Sequence, residues 1–175
     1  MGVLSEQRPV KLVSSIIFKE DKHLEEAERK LKRTYGQTES IERWLPFDKT
    51  DYYYEELGRP LRRKFICFKK LVKKDKIYKI KLVTNRIEDR LRRRGKRLVN
   101  IDPGYVTEAK LVLLTTKDYT HRVYVAGRIF AESTLFYQED TFKPWPWTYP
   151  DYASAEAVAY FNEIRQLYMK DTRGI

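Results

Sequence analysis

The chain has 175 residues, 42% hydrophobic and 14% aromatic, with 36 Lys or Arg against 25 Asp or Glu and a net charge of +11. That length suits one domain spanning residues 1–175, and the apolar content excludes a disordered chain even with 35% charged residues. No apolar run nears the ~20 residues of a membrane span, and Met1 to Pro9 lacks a signal-peptide stretch, so a cytoplasmic protein with no membrane partner is expected.

Lys11 to Phe18 reads as a buried strand, being short, apolar and β-branched. Asp21 opens a helix in which Leu24, Ala27, Leu31 and Tyr35 share one face, and Gly36 stops it. Glu39 to Leu45 suits a second strand closed by Pro46, and residues 47–56 read as a loop entering a short helical turn. Arg63 to Leu71 is the third predicted strand. It contains Cys67, the only cysteine, flanked by apolar residues and expected to pack as a small hydrophobe. A lone cysteine also excludes a disulfide framework and a Cys-based zinc site.

The pattern predicts a helix from Asp75 to Arg94 ended by Gly95. Ile77, Ile80, Thr84, Ile87 and Leu91 form its core stripe, with Lys76, Lys79, Arg86, Arg90, Arg93 and Arg97 on a neighbouring face. Between Arg59 and Arg97 stand 18 basic residues against only Asp75, Glu88 and Asp89, so this segment carries +15 and the rest of the chain −4. Such a field attracts anions. The composition, rich in Lys, Arg, Glu and Tyr, also resembles that of heat-adapted proteins, whose charges form surface networks.

Leu98 to Ile101 reads as extended, Asp102-Pro103-Gly104 as a turn, and Val106 to Thr116 as a buried strand. Val123 to Val125 and Ile129 to Tyr137 form a hairpin joined near Ala126-Gly127. Phe142 to Pro150 is an extended aromatic crossing, because its three prolines deny it a helix, and Ser154 to Lys170 is a closing helix. The expected fold is α+β: a ferredoxin-like β-α-β-β-α-β core with an extended, mostly antiparallel sheet and a C-terminal helix. A mixed sandwich of another topology is the rival.

No phosphate loop and no G-x-G-x-x-G occurs. Thr115-Thr116-Lys117-Asp118 lacks the residue that separates Lys from Asp in the guanine-reading element of GTPases. The residues that suggest chemistry lie at the ends of consecutive predicted strands. Asn100, Asp102, Tyr105, Lys117, Asp118, His121 and Arg122 fall there, with Lys81 and Asn85 on the basic helix. Asn and Asp read polar edges of a base or ribose while Lys and Arg contact phosphate, so Lys81, Asn85, Asn100, Tyr105, Lys117, Arg122, Arg86, Arg90 and Arg93 are the anion- or nucleotide-binding candidates. Asp102, Asp118 and His121 are the acid–base candidates, and Asp48 and Asp51 the metal candidates. Trp145, Trp147, Tyr149 and Tyr152 either stack bases or clamp an extended segment onto the core.

Several strings taken together, among them Pro46-Phe47-Asp48-Lys49-Thr50-Asp51-Tyr52-Tyr53, Val99-Asn100-Ile101-Asp102-Pro103-Gly104-Tyr105 and Pro146-Trp147-Thr148-Tyr149-Pro150-Asp151-Tyr152, resemble a small prokaryotic family catalogued as domain of unknown function 4416. The resemblance runs from Pro9 to Met169 and implies no activity, cofactor or catalytic residue. A GTP-binding label carried by some members has no phosphate loop here to rest on. The function expected is binding of an anionic ligand, RNA or nucleotide, through the basic surface. The alternatives are a metal-assisted enzyme acting on a phosphorylated small molecule and an interaction protein whose basic patch meets an acidic partner.

Overall fold

The computed structural model describes Gly2 and residues 6–174, so the reading of Met1–Pro9 falls partly outside the described residues. In chain order the elements are β1 (Val10–Phe18), α1 (Asp21–Tyr35), β2 (Arg43–Pro46), α2 (Tyr54–Leu57), β3 (Arg62–Val72), α3 (Ile77–Arg90), β4 (Val99–Val106), β5 (Lys110–Thr115), β6 (Val123–Ala126), β7 (Ile129–Gln138), β8 (Thr141–Pro144) and α4 (Ala155–Asp171). Among the described residues the strands make one sheet in the order β2-β3-β1-β4-β5-β7-β6, with β8 also pairing β7, and neighbouring strands are antiparallel.

All nine residues of β1 are buried, because the sheet is covered on both faces there. Leu12, Ile16 and Phe18 pack with α1 and α3 on one face, whereas Val13 packs with Phe65, Cys67 and the α4 side chains Tyr160, Phe161 and Ile164 on the other. Lys11 is the one charged residue of this strand. Its ammonium is fully buried and held by Glu39 and Asp171, which ties the end of α4 back to the sheet. Cys67 is buried as expected, and burial pushes its thiol up to about 12, so it stays an inert, protonated filler.

Several elements differ from the sequence reading, among them the strand read from Val106 to Thr116, which is split: Val106 ends β4 and β5 begins at Lys110. The helix of the basic segment is shorter, Ile77–Arg90 after a 3₁₀ turn at Lys74–Lys76, and Gly95 is not its stop. Arg93 and Lys96 instead bond each other's backbone across a tight turn, with Arg94 and Gly95 at φ 50° and 78°. The second strand is a four-residue edge, Arg43–Pro46, where a terminal proline forfeits nothing.

Asp102-Pro103-Gly104 is no turn but the middle of β4, opposite Ser15, Ser14 and Val13 of β1. The hairpin is as read, with Gly127 and Arg128 at φ 58° and 63° in its two-residue loop. Ser154 caps α4 by accepting the Ala157 N–H at 3.2 Å.

Candidate functional site

The sheet parts between β4 and β5. These strands pair only from Gly104↔Leu113 to Val106↔Leu111, although β4 begins at Val99 and β5 continues to Thr115. Pro103 explains why pairing stops there. Along a strand, alternate residues turn their backbone groups to the same neighbour. Ile101 and Pro103 turn theirs toward β5, and proline has no N–H to offer it. Beyond that point Ile101 would be left with an unpaired N–H and C=O in a buried position, a cost of about 1–3 kcal/mol each.

Helix α3 supplies the missing partners. Glu88 accepts the Ile101 N–H at 2.6 Å, and the Lys81 ammonium donates to the Ile101 C=O at 2.9 Å. Two side chains seven residues apart on one helical flank thus replace the lost stretch of strand. They extend into a connected polar wall. Lys81 meets Asp102 at 3.2 Å, the Asn100 amide donates to Asp102 at 2.7 Å, and Arg97 donates to Asn100, Glu88 and Glu56 at 2.9, 3.0 and 2.6 Å.

The opening left by the split is a cavity of about 660 Å³. Its walls are Lys81, Asn85 and Glu88 from α3, Asn100 and Asp102 from β4, and Leu113 to Lys117 from β5 and its exit. The loop carrying Tyr52 and Tyr53 and the segment Tyr149 to Tyr152 close its other sides. Most charges in the wall are already matched. Arg63 meets Asp151 at 2.6 Å, and Arg122 donates to Glu132 at 2.7 Å, to the Lys117 C=O at 3.1 Å and to the Tyr149 hydroxyl at 3.1 Å. Arg92 and Lys49 lie near Asp89 and Asp48. Among the described lining residues, Lys117 is the one cation with no carboxylate within 4 Å; its ammonium rests 4.1 Å from the centre of the Tyr52 ring and touches the Tyr52 hydroxyl.

Burial and charge pull the two glutamates beside Arg97 in opposite directions. Burial raises the Glu88 carboxyl above its ordinary range despite the Lys81 ammonium beside it, whereas the Arg97 hydrogen bond lowers that of Glu56. Glu56 therefore contributes stability above the ordinary carboxylate value of 4.5 that is lost as pH falls through its depressed folded value. The opposite holds for Glu88, whose contribution declines as pH rises from 4.5 toward its elevated value. Thermal melts of Glu56→Gln and Glu88→Gln between pH 3.5 and 7 test this. The Glu56→Gln deficit is expected to grow with pH, and the Glu88→Gln deficit to shrink.

Of the residues singled out from the sequence, Lys81, Asn85, Asn100, Asp102, Lys117 and Arg122 line this one cavity. Arg86 and Arg90 lie on the opposite flank of α3 from Lys81 and Asn85, and Arg93 lies in the turn beyond it, because five-residue steps at 100° each carry a side chain across the helix. Arg97 leaves the predicted basic stripe and turns into the cavity wall. Tyr105 packs against the α1/α3 face of the sheet, and burial raises its phenol.

Asp118 and His121 line a separate shallow groove that shares only Lys117, Arg122 and Tyr149 with the cavity. His121 is engaged there, 3.2 Å from Glu132 and stacked on Trp147 at 5.4 Å, so the three acid–base candidates do not converge. Trp147 in turn stacks on Trp145 at 5.1 Å, and its indole N–H donates to the Ser133 C=O, which ties this segment to β7. Asp48 and Asp51 are exposed and ion-paired with Lys49 and Arg59, and the described residues hold no cluster of three or more metal-ligating side chains. Sequence reasoning passed over Glu56, Glu88, Glu132 and Tyr52. The signal for Glu88 lay in its spacing, seven residues after Lys81, combined with a proline inside a strand.

The chain matches no curated protein and no solved structure. Residues 8–168, nearly the whole chain, match the family described as Domain of unknown function (DUF4416), and the protein belongs to that family.

Proposed function

We propose that the crevice between β4 and β5 binds a small phosphorylated ligand of nucleotide size. The observation that carries this is Lys117, a cation without a carboxylate at the rim of a cavity whose other cations are matched. A volume of about 660 Å³ lies within the range of ligand pockets and accommodates a mononucleotide. Deeper in, the Asn85, Asn100 and Asp102 side chains suit hydroxyl and amino groups, and the Thr115 and Thr116 hydroxyls flank Lys117 where a phosphate would sit. Tyr52 and Tyr149 offer exposed rings beside it.

The same reading extends to the fold. Helices α1 and α3 share one face and β4-β1-β3-β2 are consecutive antiparallel neighbours, which supports a ferredoxin-like β-α-β-β-α-β unit, extended by β5 to β8. The parted edge of that unit is then the binding site.

A thermal-shift and calorimetric panel tests the proposal, using inorganic phosphate, sugar phosphates and nucleoside mono-, di- and triphosphates. At a hundredfold excess over Kd, a ligand that binds only the folded chain adds about 2.7 kcal/mol. That is worth about 5–10 °C in a domain of this size. We expect one class of phosphorylated compound to give such a shift and Lys117→Ala to weaken it tenfold or more. If no phosphorylated compound raises the melting temperature, the proposal falls.

A further inference from the structure

We infer that the outer flank of α3 is a binding surface for the phosphate backbone of RNA, separate from the crevice. Helix α3 has two unlike flanks on either side of its apolar stripe. Lys81, Glu88 and Arg92 on the crevice side are paired with Asp102, Arg97 and Asp89. Lys76, Lys79, Arg86 and Arg90 on the other side, with Arg93 in the turn that follows, are all exposed. Among the described residues, none of these five has a carboxylate within 4 Å, although Arg59, Arg62, Arg63, Lys64 and Arg97 of the same basic segment all do.

Lys69, Lys70, Lys73, Lys74, Arg94 and Lys96 of that segment also lack such a carboxylate, so what sets the five apart is that they share one flank of α3 and the turn that follows it. Charges kept for thermal stability act through ion-pair networks, and such networks consist of cations with carboxylates beside them. A row of unmatched cations repels itself and costs stability. Lys79, Arg86 and Arg90 recur at spacings of seven and four residues, so they lie in one line along the helix. From Lys79 to Arg90 the line runs about 16 Å at 1.5 Å per residue. A straight cationic row of that length faces several successive phosphates of a nucleic-acid strand. Recognition through phosphates fixes position without reading sequence. Duplex RNA is the form that proteins read mostly by shape and backbone.

The test compares the full chain with a fourfold variant, Lys79→Gln, Arg86→Gln, Arg90→Gln and Arg93→Gln, binding a mixed-sequence RNA duplex of about 20 base pairs (the dsRNA-reader span is ~16). Anisotropy is read across roughly 50–200 mM salt. The wild type is expected to lose about 250-fold in affinity over that range, with a log–log slope of about −4. The variant is expected to lose about 3.6 units of that slope, at about 0.9 for each of the four phosphate contacts removed.

Its melting temperature should be unchanged or higher, since self-repulsion is relieved. Lys117→Ala should leave the RNA slope untouched, which keeps this inference independent of the crevice reading. An unchanged slope in the fourfold variant, or a melting temperature lowered by several degrees, would overturn it. So would binding to vesicles containing phosphatidylserine that outcompetes the RNA.

Discussion

Replacing Glu88 by alanine is expected to lower stability by about 3–5 kcal/mol, the range seen when one member of a buried charge network is removed. Three losses coincide at this site. The Ile101 N–H loses its only acceptor, because β5 has already turned away and cannot take it back. Arg97 loses one of its two carboxylates. Lys81, with a side chain only 7% exposed, loses the attraction of a nearby carboxylate and keeps Asp102 and the Ile101 C=O.

For a chain of this length the loss is a drop in melting temperature of about 6–20 °C. Glu88→Gln keeps an oxygen for the Ile101 N–H and should retain roughly half of the stability. Urea unfolding of the two variants and the wild type measures both. A Glu88→Ala deficit below about 1 kcal/mol would mean that α3 does not stand in for the missing strand.

The second large effect is expected from Gly104→Ala, at the last paired position before the sheet parts. A Cβ built there lies 2.4 Å from the Val112 carbonyl oxygen and 2.8 Å from Leu113 Cδ2. The nearer atom is backbone, so a side-chain rotation cannot relieve the clash, and β5 must move away from β4. Overpacking of this kind costs about 1–3 kcal/mol, and more where backbone has to shift. The variant should therefore unfold at markedly lower urea. Because β5 ends at Thr115 and leads directly into Thr116 and Lys117, the change should also weaken any ligand held in the crevice. Unfolding curves and a binding titration on the same sample show whether both effects appear together.

Much of this architecture is written in local patterns. The β1 run, the α1 and α4 stripes and the hairpin around Gly127 need only hydrophobic periodicity and turn chemistry, and each forms close to where those patterns place it. Asp102-Pro103-Gly104 has the composition of a turn, yet it lies within a central strand. What decides the outcome is long-range: β1 pairs with β4 through Ser14 and Ser15, and the proline's missing donor is directed to the side where the sheet opens.

Six of the residues marked from the sequence ring the crevice because they sit at strand ends or on one flank of α3. Helical periodicity already places Arg86 and Arg90 on a face of α3 apart from Lys81 and Asn85, and charge alone joins them to the binding candidates. Tyr105 was grouped by proximity along the chain, but three positions from Asp102 in a strand is the opposite face. Glu56 and Glu132 could not be read locally. Each is defined by a cation far along the chain or across a hairpin.

The most direct test is a crystal structure of the protein grown with a nucleoside monophosphate at millimolar concentration. The predicted result is β4 and β5 parted beyond Gly104 and Leu113, with Glu88 and Lys81 bonded to Ile101 and the phosphate in ion-pair contact with Lys117. Continuous pairing of the two strands past Pro103, or a nucleotide seated anywhere outside the crevice, would contradict it.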